Sequence, residues 1–188
     1  MGSFFLVLVA LAVIFEASAN SKIAGGCLSG IKKRLETHYL DNCTGNQTEN
    51  NIILVDSRLS WEQANNICIS TNLSLVTLKS KTELDEFYNK LSEHYFRSAW
   101  VLASNCKNGS IIQWGESGPI LETDSEMWFK GNEEAVAQPN ELLNNYSDIL
   151  YKGHLCVAVI RGGLWDESCS FRYKFACECR KEAIMNSP

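Results

Sequence analysis

Leu155-Cys156-Val157-Ala158-Val159-Ile160-Arg161-Gly162-Gly163-Leu164-Trp165-Asp166-Glu167-Ser168-Cys169-Ser170-Phe171-Arg172-Tyr173-Lys174-Phe175-Ala176-Cys177 is the stretch on which the fold turns. Its first six residues are a continuous apolar run, and Gly162-Gly163 marks a turn after them. In the last seven residues Phe171, Tyr173, Phe175 and Cys177 alternate strictly, which sets three aromatics and a cysteine on one face of a strand. The stretch therefore reads as strands joined by tight connections, with cysteines at both ends.

Working back toward the N-terminus, the pattern changes period. Ile52-Ile53-Leu54-Val55 is a β-branched run suited to a strand. Ser60-Trp61-Glu62-Gln63 has the form of a capping box, and Trp61, Ala64, Ile67 and Cys68 then share one helical face. Ser80-Lys81-Thr82-Glu83 repeats the signature ahead of a second stripe, Leu84, Phe87, Tyr88 and Leu91. Both stripes have the spacing of core-facing helices. Ala99-Trp100-Val101-Leu102 and Ile111-Ile112-Gln113-Trp114 are strand-like. From Gly115 to Lys152 little periodicity survives, and a connection of that length in a compact domain is usually functional or disordered. A strand, two helices, then several strands around an irregular loop make an α+β domain.

The N-terminus points to export. An apolar run from Phe4 to Phe15 precedes Ala17-Ser18-Ala19, the small-x-small pattern of a signal-peptidase site, so residues 1–19 read as a signal peptide. No later segment approaches the ~20 apolar residues of a membrane-spanning helix. Behind the signal stand all eight cysteines, Cys27, Cys43, Cys68, Cys106, Cys156, Cys169, Cys177 and Cys179, and an even count there implies disulfides. Asn-x-Ser/Thr sequons at Asn42, Asn46, Asn72, Asn108 and Asn145 agree; Cys43 in the middle position disfavours the first and leaves the other four as glycosylation candidates. Of the 22 acids only Glu16 lies in the signal, which leaves 21 acids against 17 bases in the mature chain, a net −4. With no basic block beyond Lys32-Lys33-Arg34, which reads as one solvated helical turn, neither nucleic acid nor an anionic membrane is expected as a partner.

Taken together, Cys68 at the end of the first helix, Cys156-Val157, Trp165-Asp166-Glu167-Ser168-Cys169 and Phe175-Ala176-Cys177-Glu178 resemble the framework of the C-type lectin-like domain. Ala99-Trp100-Val101-Leu102 stands where that family carries its Trp-Ile-Gly-Leu core strand, and Trp128 and Gly131 precede Gln138-Pro139-Asn140 as in its approach to a proline loop. The resemblance covers residues 51–180, after an N-terminal extension at 20–50 and before a tail at 181–188. It implies two helices packed on short antiparallel sheets with a long irregular loop region, and two disulfides, Cys68–Cys177 and Cys156–Cys169. Cys27, Cys43, Cys106 and Cys179 remain with three pairings; Cys43–Cys179 and Cys27–Cys43 are equally open, as is an interchain bridge.

In sugar-binding members a Glu-Pro-Asn or Gln-Pro-Asp tripeptide with a cis-proline places side-chain oxygens on Ca²⁺, which accepts two vicinal sugar hydroxyls. Calcium demands hard oxygen ligands with enough negative charge. Gln138-Pro139-Asn140 fits the position but is neutral at both ends. His154 replaces a family glutamate, and Trp165 to Cys169 is one residue shorter than usual. The carbohydrate- and calcium-binding set implied is Gln138, Asn140, Glu141, Asp166 and Glu167, with Gln138, Asn140 and Asp166 as the metal ligands. The expected function is a secreted glycan-binding recognition protein that gains strength by oligomerising. The alternative is a calcium-independent module for a protein ligand, with His154, the long Asn140–Cys156 loop and Trp128 in a flat interface. An enzyme is not expected: His38, His94 and His154 are scattered, and no Gly-x-Ser-x-Gly or His-Glu-x-x-His motif occurs.

Overall fold

A computed structural model describes residues 30–37, 43, 52–106, 111–140 and 154–179. Residues 30–37 form helix α1. There follow β1 (Ile52–Leu59), α2 (Trp61–Ile69), β2 (Leu73–Leu75), α3 (Lys81–Glu93), β3 (Ser98–Ser104), β4 (Gln113–Trp114), β5 (Leu155–Ile160), β6 (Gly163–Ser168) and β7 (Tyr173–Cys179).

The helix starts follow their caps. The Ser60 side chain accepts from the Gln63 N–H, and the Gln63 side chain accepts from the Ser60 N–H, which closes the capping box of α2. At α3 only half the expected box forms: Ser80 Oγ accepts from the Glu83 N–H, but Glu83 Oε2 reaches the Lys79 N–H, one residue earlier.

All seven strands join one sheet along the path β1-β7-β3-β5-β6, with β2 on β7 and β4 on β3. The strands pair antiparallel as expected, except that β3 and β7 run parallel, Trp100 beside Phe175. Parallel neighbours require a long crossover, and here everything between β3 and β7 supplies it. β1 is longer than its apolar run because pairing with β7 carries it on to Leu59 opposite Tyr173. The strand-like run 111–114 shrinks to two residues, since only Gln113 and Trp114 find partners on β3.

Two apolar clusters lie on opposite faces of the sheet. The first gathers Leu84, Phe87 and Leu91 of α3 with Val101, Trp128, Val157, Leu164 and Ala176. The second gathers Trp61, Ala64 and Cys68 of α2 with Trp100, Ala158, Phe175 and Cys177, and α1 joins it through Leu35, which is buried. Alternation along β7 divides Phe175 and Cys177 from Ala176 as the sequence pattern requires. Each fully buried large apolar side chain here stabilises by about 1.5–3 kcal/mol. The two indoles of the second cluster are also hydrogen-bonded, Trp61 Nε1 to the Val101 carbonyl at 2.7 Å and Trp100 Nε1 to the Leu59 carbonyl at 2.9 Å. Their burial therefore leaves neither donor unpaired.

Disulfides Cys68–Cys177 and Cys156–Cys169 form as the resemblance implied, and Cys43–Cys179 resolves the choice among the remaining cysteines that include Cys43. Cys27–Cys43 is thereby ruled out. Cys106 is a free, exposed thiol, and Cys27 lies outside the described residues. No helix among the described residues is long and apolar enough to cross a membrane.

Candidate functional site

The aperiodic segment after β4 is ordered by bonds to fixed points on the sheet. Met127 to Phe129 lies along β6: Leu164 N–H donates to the Met127 carbonyl at 2.9 Å, and Phe129 N–H to the Leu164 carbonyl at 3.1 Å. Gly163 permits this approach, since a Cβ there would sit 2.6 Å from Phe129 Cα. Trp128 is 1 % exposed, and its Nε1 donates to the Glu122 carbonyl at 2.8 Å. That corrects its expected place in a flat interface: the indole is core, and its burial fastens the loop. Phe129 stacks on Trp165 with centroids 5.0 Å apart. Asn132 Oδ1 accepts from the N–H groups of Glu134 and Ala135, and Glu134 pairs with Arg161 across the gap to β5.

The tripeptide follows directly. Gln138 N–H donates to the Phe129 carbonyl at 2.7 Å, and the Gln138–Pro139 peptide is cis, the form the resemblance implied. Asn140 N–H donates to Asp166 Oδ1 at 2.9 Å, which draws the loop end onto β6. Asp166 is 2 % exposed and Gln138 8 %. A carboxylate buried that far needs hydrogen bonds or a cation to offset lost hydration. Gln138 Nε2 reaches the Val136 carbonyl at 3.4 Å, whereas Gln138 Oε1 is buried without a hydrogen-bond partner. An orphaned amide oxygen of this kind calls for an explanation such as a water or an ion.

Of the residues expected at the site, Asp166 is bonded to the backbone of Asn140, two residues beyond Gln138, and is directed to the loop end. Glu167 is not. Alternation on β6 turns it to the opposite face from Asp166, where it accepts a hydrogen bond from the Tyr173 hydroxyl. Burial first, then the Glu167 charge and this bond, push the Tyr173 phenol from its ordinary 10.0 up to about 12. His154 is exposed just before β5. Glu141 and the sequons Asn46, Asn108 and Asn145 lie outside the described residues; Asn72 is exposed in the turn after α2, with positive φ. The sequence reading missed the bond between Tyr173 and Glu167, which no local spacing signals. It also read Gly162-Gly163 only as a turn. Arg161 and Gly162 carry the positive φ of that turn and Gly163 does not, so the second glycine was the available sign of a close backbone approach.

A donor set of one buried carboxylate, one orphaned amide oxygen and the asparagine of the tripeptide matches the chemistry of a hard cation, but with little charge. Ca²⁺ takes six to eight oxygens and loses affinity as charged ligands are removed. These residues fit a weak calcium site.

Neither a family model nor a curated protein sequence matches the chain. Solved structures do. A C-type lectin from the tunicate Polyandrocarpa misakiensis is 21 % identical, with a TM-score of 0.53 over 70 % of this chain and 98 % of its own. The carbohydrate-recognition domain of the mouse scavenger receptor C-type lectin is 20 % identical, with a TM-score of 0.51 over 74 % and 95 %. A trimeric Kupffer-cell C-type lectin receptor is 15 % identical, with a TM-score of 0.55 over 85 % and 96 %. The chain has the C-type lectin-like fold, an α+β domain stapled by disulfides.

Proposed function

We propose that this is a secreted recognition protein that binds glycans at the corner made by Gln138, Asn140 and Asp166, with Ca²⁺ as a weakly held cofactor. The observation that carries the reading is the buried Asp166 carboxylate bonded to the loop end at Asn140, two residues beyond the orphaned Gln138 Oε1. These oxygens, with Glu141 adding charge, would hold the ion, which supplies a Lewis-acidic perch for two vicinal hydroxyls. The chain's own part is to fix the loop against β6 and to present the Gln138 and Asn140 amides to the same hydroxyls. Disulfides on both sides of the sheet support export, because such bonds persist in oxidising compartments. Single-site sugar affinity is weak, so an oligomer is part of this reading. A non-enzymatic role agrees with the carbohydrate-recognition domains that share the fold.

A second reading, calcium-independent recognition of a protein ligand on the same loops, is favoured by one observation: Glu167 is turned to Tyr173, which leaves Asp166 as the one carboxylate in the corner among the described residues. Thermal unfolding against calcium separates the two. For a dissociation constant of about 1 mM, 10 mM CaCl₂ stabilises by about 1.4 kcal/mol, or roughly 3–6 °C at this chain length. Asp166→Asn should abolish that shift. An unchanged melting point in the parent protein rejects the calcium site in favour of the second reading.

A further inference from the structure

A cleft of about 660 Å³ opens between the segment before α3 and the loop after β4, and it shares no residue with the Gln138–Asn140 corner. Its floor is apolar: Leu78, Trp114, Leu121 and Met127 are all buried. On its edge Ile120 leaves 51 % of its surface to solvent, uncommon for a β-branched aliphatic side chain.

Ile120 itself stands in an isolated antiparallel β-bridge beside β4. Trp114 N–H donates to the Pro119 carbonyl at 3.0 Å and Leu121 N–H to the Ile112 carbonyl at 2.9 Å, so Gln113 and Ile120 face each other as an antiparallel pair. In that register the N–H and C=O of Ile120 itself point away from β4, and neither has a partner among the described residues. Trp128 Nε1 and Ser125 N–H both donate to the Glu122 carbonyl and hold the loop beyond this edge closed.

The charge around the cleft is mainly negative, although Lys130 Nζ donates to the Ser125 carbonyl at its edge. Glu122, Asp124 and Glu126 line it, are exposed, and make no ion pair among the described residues. Lys79 is the single cation of the lining. The unpaired backbone N–H and C=O of Ile120, an apolar floor and three carboxylates without an ion pair among the described residues fit one kind of occupant. We infer that the cleft docks an extended basic peptide segment of a protein partner, which adds to the edge at Ile120, places apolar side chains on the floor and aims Lys or Arg at the three carboxylates. Main-chain pairing supplies affinity in this mode, and the alternate side chains supply specificity. A small neutral ligand would use the floor and leave the charges idle.

The probe is a seven-residue peptide of alternating lysine and valine, acetylated and amidated, titrated calorimetrically into the full chain. The matching glutamate–valine peptide is the charge control. Three results are expected. Only the basic peptide binds; Glu122→Gln, Asp124→Asn and Glu126→Gln together weaken it at least tenfold; and Ile120→Ser weakens it at least threefold. Neutralising three exposed acids elsewhere, with Glu62→Gln, Glu93→Gln and Glu133→Gln, should change affinity less than twofold. All these side chains are exposed, and an unchanged melting point verifies folding of each variant. Equal loss in both triple variants would mean general attraction to an acidic protein and overturn the docking site. So would binding that survives the first triple variant, or no binding of the basic peptide to the parent.

Discussion

The scaffold and the loop layer of this domain are held by different forces. In the scaffold, β1, β7, β3 and the two long helices bury apolar side chains on both sides of the sheet, and Cys68–Cys177 and Cys43–Cys179 tie the chain ends to it. From Gly115 to Asn140 the chain has almost no regular structure, and it is pinned instead at a few points: Trp128 in the core, Phe129 against Gly163, and Asn140 on Asp166. Burial is cumulative and spread over many side chains. Pins are few and individually important. A loop layer of this kind can change its sequence between pins while the scaffold keeps its place.

The contrast can be broken hardest at the scaffold. Replacing both Cys68 and Cys177 by alanine opens a loop closed across 109 residues of sequence, and the chain-entropy model puts the loss near 4–5 kcal/mol. Urea unfolding under non-reducing conditions should show the extrapolated unfolding free energy fall by that amount, while a loss below about 1 kcal/mol would mean the denatured state is already restricted. At the pins smaller effects are expected. Asp166→Ala removes a charged hydrogen bond to Asn140 and should cost about 1.5–3 kcal/mol; hydrogen exchange should show the Asn140 amide losing protection while Trp100 and Phe175 amides keep theirs. Gly163→Ala forces a methyl into the Phe129 backbone and should cost about 1–3 kcal/mol, again with the opening confined to residues near 127–140.

The smallest effect lies at Tyr173. Its folded pKa, near 12, stands above the ordinary 10.0, so the folded state holds its proton more tightly than the unfolded one. The associated stability is fully present below pH 10 and is lost as the pH rises toward 12. Ultraviolet titration should show one tyrosine ionising late, and Tyr173→Phe should remove that step at a cost of about 1 kcal/mol in neutral solution. If all tyrosines ionise together near pH 10, Glu167 is not bonded to Tyr173 and is available to the loop corner after all.

Much of the scaffold was legible because its forces are periodic. The Ser60 box, the stripes of α2 and α3 and the alternation of Tyr173, Phe175 and Cys177 each repeat with the period of the element they build. Less was legible where order comes from single long-range contacts. Trp128 carried no period to mark it as core, Ala99 and Trp100 gave no sign of pairing in parallel with β7, and Leu35 stood in what read as an extension. Near the loop end, the resemblance pointed to Gln138, Asn140, Asp166 and Glu167 alike, and it is the bond from Tyr173 that sets Glu167 apart. The Asn140–Asp166 bond spans 26 positions and has no local signature.

Whether the corner recognises sugar is tested most directly on a glycan array, with the parent protein and Asp166→Asn run side by side in 5 mM CaCl₂ and in excess chelator. The account predicts that the parent binds a restricted set of glycans in calcium, loses them in chelator, and that the variant binds none in either. Glycan binding that is the same in the variant, or its absence from the parent under both conditions, would contradict the assignment of Gln138, Asn140 and Asp166 as the recognition site.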